Sequence, residues 1–256
     1  MPEPKIYTKN YAAGESEFTS SHGDDFLEYL VDRDNDSQYV SNGANSDSTS
    51  LILDCTFMEA GEEREWDIDR IILVNHNLEN PVFEYWDGAA WQALVSGVAL
   101  VDSTSIFTFN QVTTSKVRLT VDDTQTPNQE KMIGEFIVTK LGVSLPDEYI
   151  SYGVGSRQMS TEITLSDGSM HKTYIKPSVN RTEKYETKLS FTYLTRAQMD
   201  QLKAIKEAGQ SFLWQPQSIS QPQDIWLVHW VGSFAWKFVS TNTGAGHTLE
   251  LDFKEV

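Results

Sequence analysis

The sequence contains a single cysteine, Cys55, so no disulfide within the chain is possible. The residues around it, Leu51–Leu53 and Phe57, are apolar, and the adjacent Asp54 has the wrong charge to activate a thiol. We therefore expect Cys55 to be a buried strand residue. No apolar run approaches the ~20 residues of a membrane-spanning helix, and the N-terminal stretch lacks the apolar core of a signal peptide. These absences predict a chain that is made in a cytoplasm and does not insert into a membrane.

Signatures of catalysis and of transition-metal binding are also missing. The histidines form no H-x-x-x-H or Cys/His pattern, and neither a G-x-S-x-G elbow nor a phosphate-binding glycine loop is present. Pairs of carboxylates are frequent, but in so acidic a chain they are expected by chance. We therefore predict that the protein is not an enzyme and needs no organic cofactor.

Basic residues are scarce and unevenly distributed. The chain has 20 Lys and Arg against 37 Asp and Glu, a net charge of −17. Residues 1–142 carry 9 basic and 25 acidic residues, a net charge of −16, whereas residues 143–256 carry 11 and 12, a net charge of −1. Without a basic stripe, a nucleic-acid partner is excluded, and an acidic surface repels anionic membranes. The difference between the halves predicts two domains with different surface roles.

The first half alternates short β-prone runs with turn signals, which is typical of an antiparallel β-sandwich. We predict a domain over residues 1–142 with no α-helix. Its predicted strands are Leu51–Phe57, Ile68–Val74, Val82–Trp86, Ile106–Phe109, Lys116–Val121 and Glu135–Lys140.

The second half is predicted to be a β-domain with one α-helix. Residues 143–155 are rich in glycine and are predicted to form a linker, so this domain would cover residues 156–256. Thr195 and Gln198 fit a capping box, and Gly209 fits the left-handed residue after a helix, which together predict a helix at about 196–208. The fold class is therefore mainly β, a sandwich followed by a β-domain with one helix.

One cluster of carboxylates has the spacing of a cation site. Asp32, Asp34 and Asp36 alternate along a polar segment, and hard oxygen ligands suit a structural Ca²⁺ ion. The segment does not match an EF-hand, because position six is not glycine and position twelve is Gly43. A solvated acidic turn without a metal is the alternative.

Tryptophans mark two further candidate surfaces. Trp86 and Trp91 flank an Asp-Gly turn, where they would either contact a glycan or close the end of the sandwich core. In the second half, the strand Trp226–Val231 is apolar on both faces, which predicts burial by the core and by a neighbouring subunit. The predicted contact residues for assembly are Trp226, Trp230, Leu249, Leu251 and Phe253. We expect this nearly neutral half to assemble, since copies of the acidic half would repel each other.

Several motifs follow one another in residues 1–142, namely Asn10–Tyr11, Tyr29–Asp34, Tyr39–Gly43, Leu51–Asp54, Ile68–Leu78, Tyr85–Trp91 (YWDGAAW) and Lys116–Thr120 (KVRLT). Their order resembles the discoidin-like (F5/8 type C, galactose-binding-like) jelly rolls, and more narrowly those of tailed-phage virion proteins. The resemblance implies that the sandwich is a jelly roll.

The second half resembles the small β-domains of phage tail-tip and distal tail proteins, through Leu189–Phe191, Leu202, Phe212–Pro216 and Thr248–Val256. This implies a structural virion protein of a phage tail tip or baseplate, assembled in the host cytoplasm. It would form a homo-oligomeric ring through the C-terminal domain, contact tail-tube, hub or baseplate subunits, and display the jelly roll outward. A module that binds a host-surface glycan and a glycan-processing enzyme stay open as alternatives.

Overall fold

The computed structural model of the chain forms two compact units, which we call the jelly-roll domain (Tyr7–Leu141) and the C-terminal domain (residues 4–6 with the chain from Gly142 onward). Both are mainly β, and one α-helix lies in the C-terminal domain, so the predicted fold class is confirmed. The structure describes residues 4–32, 37–95, 104–146, 149–158, 160–164, 170–174, 183–216, 225–238 and 246–255.

The first part of the chain is built almost entirely from strands, with one short 3-10 helix at Leu27–Leu30. The strands are, in chain order, β1 (Lys5–Tyr7), β2 (Glu17–Ser20), β3 (Tyr39–Val40), β4 (Leu51–Thr56), β5 (Met58–Glu59), β6 (Glu62–Glu63), β7 (Trp66–His76), β8 (Leu78–Glu79), β9 (Val82–Trp86), β10 (Trp91–Val95), β11 (Thr104–Thr114), β12 (Lys116–Val121), β13 (Asp123–Thr124), β14 (Met132–Thr139) and β15 (Leu141–Ser144). Each strand predicted from the sequence of this half has a counterpart among them.

The jelly-roll domain contains a five-stranded sheet, ordered β10-β9-β12-β4-β2, and a four-stranded sheet, ordered β11-β7-β14-β3. Both sheets contribute to one core, which includes Leu53 and Leu119 from the first and Ile71 and Phe136 from the second. Two-stranded ribbons, β13-β8 and β5-β6, complete the domain.

Alternation along β4 and β12 determines which side chains of the five-stranded sheet face outward. Leu51, Leu53 and Cys55 are buried and pair in register with Val121, Leu119 and Val117, whereas the residues between them are partly exposed. Because successive side chains of a strand point to opposite faces, Asp54 and Arg118 lie together on the outer face. Burial raises the pKa of the Cys55 thiol well above its usual value, which fits an inert core residue.

The C-terminal domain consists of one large sheet, a small hairpin and one helix. Its remaining elements are β16 (Tyr149–Gln158), β17 (Ser160–Thr164), β18 (Met170–Tyr174), β19 (Glu183–Leu194), α1 (Arg196–Ala208), β20 (Phe212–Gln215), β21 (Trp226–Val231), β22 (Trp236–Phe238) and β23 (His247–Glu255). The sheet is ordered β15-β1-β20-β21-β23-β19-β16, with β22 paired to β23.

Helix α1 has the predicted bounds. The Thr195 hydroxyl accepts the backbone N–H of Gln198, the Gln198 side chain accepts the backbone N–H of Thr195, and Gly209 ends the helix at a φ of +63°. Its buried face, Met199 and Leu202, packs into the core of the C-terminal domain. In the described part of the chain, no helix is long and apolar enough to cross a bilayer.

The segment predicted as a linker, 143–155, instead contributes to the large sheet through β15 and β16. Val143 is 2% exposed and Leu145 is fully buried, and the Leu145 N–H donates to the Pro4 carbonyl oxygen at 2.9 Å. The glycines of this stretch were interpreted as a linker signal, but Val143 and Leu145 belong to the core of the C-terminal domain. The first domain consequently begins at Tyr7, not at residue 1.

The predicted assembly residues are corrected by their burial. Trp230, Leu249, Leu251 and Phe253 are at most 3% exposed and form the core of the C-terminal domain, with Trp226 packed against it. Strand β23, which holds Leu249, Leu251 and Phe253, lies between β19 and β21 and so is not an edge strand that could pair with a neighbouring subunit. The apolar pattern of a strand does not distinguish a central strand from an edge strand, and β23 is a central strand.

Candidate functional site

The hairpin β9–β10 places two tryptophans side by side at one edge of the five-stranded sheet. Trp86 and Trp91 are register partners across an Asp-Gly turn, in which Gly88 has a φ of +98°. One carboxylate oxygen of Asp87 accepts the N–H groups of Ala89 and Ala90 at 2.8 Å, and the other accepts the Gln92 side-chain amide at 2.8 Å. The turn is thus fixed by its own first residue.

The two indoles form an aromatic pair on the outer face of this sheet. Their ring centroids are 5.5 Å apart and their planes meet at 65°, an edge-to-face arrangement. Both side chains are partly exposed, and neither belongs to the core cluster of the domain. They therefore do not close the end of the sandwich, which was the alternative interpretation of the hairpin.

Arg118 connects the aromatic pair to the middle of the sheet. Its guanidinium lies 4.2 Å from the centroid of the Trp91 ring, and its Nε and Nη2 atoms each donate to an Asp54 carboxylate oxygen at 2.7 Å. The hydrogen bonds that Arg118 donates to Asp54 raise the pKa of Arg118, so the guanidinium stays charged. In the neighbouring ladder Glu84 stands opposite Arg118.

The tryptophan surface, which we define as Trp86, Trp91, Arg118, Asp54 and Glu84, combines aromatic faces with fixed donors and acceptors. Every member stands on a paired strand rather than on a loop. Such a surface can pack against an apolar ring face and form hydrogen bonds to polar groups around its edge.

Only part of the predicted calcium site lies in the described residues. Asp34 and Asp36 are outside them, and Asp32 accepts a hydrogen bond from the Ser37 hydroxyl at 2.5 Å. Among the residues that the structure describes, no group of three or more His, Cys, Asp or Glu side chains could hold a metal ion. The calcium assignment stays a prediction.

A buried lysine occupies an oxygen-lined position in the same polar region. Lys131 is fully buried, and its Nζ donates to the carbonyl oxygens of Ala44, Ser46 and Thr49 at 3.0, 2.8 and 2.9 Å. Burial lowers the pKa of Lys131, while the carboxylate of Asp47 acts in the opposite direction. The loop 44–49 is therefore closed around a side-chain ammonium. We call this arrangement the lysine cage.

His76 is buried at the end of β7 and forms two hydrogen bonds within the jelly-roll domain. Its Nδ1 accepts the backbone N–H of Leu78 at 3.1 Å, so the opposite ring nitrogen, Nε2, donates to the Ser105 hydroxyl at 3.1 Å. Burial lowers the pKa of His76 from 6.5 to about 4. The imidazole is thus neutral and has a structural role.

The C-terminal domain has a groove of about 660 Å³ where β21 ends and β22 begins. Polar residues line it, among them Lys188, Ser190, Glu250 and Asp252, together with Trp236, which is 39% exposed. Unlike the predicted assembly residues, Trp236 presents an aromatic surface to solvent.

Sequence reasoning selected Trp86 and Trp91 but missed Arg118, Asp54 and Glu84. The alternation of Lys116–Val121 could have assigned Arg118 to the outward face, because its neighbours in the sequence are apolar. Pairing Arg118 with Asp54 requires the register of β12 against β4, and 64 residues separate the two partners.

No protein-family model and no curated protein matches the chain. Solved structures similar to it include the family 32 carbohydrate-binding module of Clostridium perfringens NanJ in complex with galactose, at 13% identity and a TM-score of 0.45, covering 53% of this chain and 100% of that one. A second is CpGH89CBM32-6 from Clostridium perfringens, at 16% identity and a TM-score of 0.42, covering 52% and 99%.

The structure of SpGH29 is also similar, at 16% identity and a TM-score of 0.43, covering 52% of this chain but only 28% of that one. A Ruminococcus gnavus GH29 fucosidase in complex with fucose matches at 16% identity and a TM-score of 0.42, and the match spans 27% of it. Similarity at this level identifies no ligand for this chain, whose function must follow from its own geometry.

Proposed function

We propose that the protein is a non-catalytic carbohydrate-binding protein whose jelly-roll domain takes a sugar at the tryptophan surface. The observation that carries this proposal is the pair of partly exposed indoles beside the Arg118–Asp54 ion pair. A pyranose ring has an apolar face that packs on an indole, and its hydroxyls are both donors and acceptors of hydrogen bonds.

The rigidity of this surface supports a binding role. Asp87 fixes the turn between the two tryptophans, and the Thr114 hydroxyl donates to the Trp86 carbonyl oxygen at 2.8 Å. Arg118 is held by two hydrogen bonds from one side and by the Trp91 ring from the other. Side chains that are already ordered lose little conformational entropy when a ligand binds.

Replacing Trp86 or Trp91 with alanine is expected to weaken glycan binding by about tenfold or more, because loss of a central aromatic contact commonly costs over ~1.4 kcal/mol. A glycan array of the full chain identifies the ligand, and calorimetric titration measures the change in affinity. Phe26→Ala is the matched control, since Phe26 is 53% exposed and precedes the 3-10 helix Leu27–Leu30, which contacts β3 and β14 of the other sheet. Binding lost in Phe26→Ala but retained in both tryptophan variants would place the site elsewhere.

As the setting for this binding, we propose a phage virion, with the C-terminal domain attaching the jelly roll to a tail tip or baseplate. The motif order in both halves supports this setting, as does the contrast between net charges of −16 and −1. Since the core residues of the C-terminal domain are buried, the groove around Trp236 becomes its candidate contact surface.

The full chain is expected to self-associate as its concentration rises, and Trp236→Ala is expected to reduce that association. Sedimentation velocity over a range of concentrations measures it. Tyr193→Ala serves as the control, because Tyr193 is also an exposed aromatic residue of the C-terminal domain. A chain that stays monomeric throughout would contradict a homo-oligomeric ring.

A further inference from the structure

The tryptophan surface has more negative than positive groups. Its one cation, Arg118, is engaged by both carboxylate oxygens of Asp54. Glu84 is a second carboxylate of this surface and stands opposite Arg118 in the ladder. Asp87 adds a third carboxylate next to the surface, in the turn after Trp86. Hydrogen bonds from the N–H groups of Ala90 and Ala89 lower the pKa of Asp87, so this carboxylate is ionised at neutral pH.

The other cations in the described part of the jelly-roll domain are also engaged. Each Lys and Arg within the described part of this domain is engaged, either with a carboxylate or, for Lys131, with the carbonyl oxygens of the lysine cage. The ion pairs are Lys9–Glu59, Arg64–Glu59, Arg70–Asp69, Lys116–Glu63, Arg118–Asp54 and Lys140–Asp67. At the tryptophan surface, an anionic sugar would therefore meet a net negative charge, and Arg118, the cation of this surface, is already engaged by Asp54.

We infer that the ligand class of this site is a glycan that carries protonated amino groups, such as a glucosamine oligosaccharide. The inference rests on the proposed sugar binding at the tryptophan surface. Glu84 and Trp86 are two residues apart on β9 and so share its outer face, with Asp87 following in the turn. An ammonium group there donates hydrogen bonds to the carboxylates, and the adjacent indole ring attracts it further.

The test is calorimetric titration of the full chain with three oligosaccharides of equal length. These are fully deacetylated glucosamine, fully N-acetylated glucosamine and galacturonate, at a pH below the pKa of the amines. We expect glucosamine to bind about tenfold or more tightly than the N-acetylated oligosaccharide, and galacturonate to bind most weakly. Added salt should reduce the glucosamine affinity and leave the N-acetylated one unchanged.

Charge-neutral variants separate this inference from the proposed function. Glu84→Gln is expected to reduce the affinity for the glucosamine oligosaccharide by a larger factor than the affinity for the N-acetylated one, because only the amine loses a charged partner. The matched control is Glu17→Gln, which removes a carboxylate from β2 at the opposite edge of the same sheet and should leave the preference intact. Equal or tighter binding of the N-acetylated or acidic oligosaccharide, or failure of all three to bind while another sugar binds on the glycan array, would overturn the amine preference alone. Failure of all three together with an empty glycan array would overturn the proposed function with it.

Discussion

Replacing Lys131 with methionine is expected to lower the free energy of unfolding of the jelly-roll domain by about 1–3 kcal/mol. The substitution retains most of the apolar stem but removes the ammonium from the lysine cage. The carbonyl oxygens of Ala44, Ser46 and Thr49 then lose their shared donor, and the buried Ala44 oxygen has the least access to water as a replacement. Chemical denaturation of the full chain, following the transition of the jelly-roll domain, measures the loss.

Lys140→Met is the matched control for this substitution. Lys140 belongs to the same domain and pairs with Asp67 at 3.2 Å, but both side chains are partly exposed, so the expected loss is below about 1 kcal/mol. Similar losses in the two variants would show that the burial of Lys131 contributes nothing special. The comparison therefore isolates the lysine cage from the general effect of removing a positive charge.

Acidification from pH 6.5 to pH 4 is expected to destabilise the jelly-roll domain by about 3 kcal/mol through His76 alone. The folded pKa of about 4 lies below the ordinary value of 6.5. As the pH falls through this window, the unfolded chain takes up a proton that the folded domain does not, which favours unfolding. The loss of unfolding free energy begins near pH 6.5 and is complete below pH 4.

His76→Gln is expected to remove this dependence of the free energy of unfolding on pH, since a glutamine can donate and accept hydrogen bonds but does not titrate. Denaturation midpoints measured across the window for the wild type and the variant give the difference. His229→Gln is the control, because His229 is exposed on β21 and its replacement should leave the slope as it is. A slope that persists in His76→Gln would assign the pH dependence to other groups.

Local sequence patterns were sufficient for most of the secondary structure. Val82–Trp86 and Lys116–Val121 have the predicted bounds because alternating β-prone residues are followed by a turn signal. Helix α1 was predictable from its capping box and from Gly209, which act within a few residues of the helix ends. Such features depend on near neighbours in the chain, which a sequence displays directly.

Features that depend on distant partners were not predictable in the same way. The central position of β23 follows from its pairing with β19 and β21, which the apolar pattern of the strand does not specify. Lys131 has no local signal either, since its carbonyl partners lie more than 80 residues earlier. For the tryptophan surface, the indoles were visible in the hairpin motif, but the position of Arg118 required the strand order of the sheet.

The chain enters and leaves the jelly-roll domain at adjacent points. Strands β1 and β15 are neighbours in the C-terminal sheet, and the Thr8 N–H donates to the Lys140 carbonyl oxygen at 2.9 Å just beyond them. The jelly roll is therefore an insertion with closely spaced ends, and its removal leaves only a short gap to close. Another domain with closely spaced ends could therefore replace it while the C-terminal sheet keeps all of its strands.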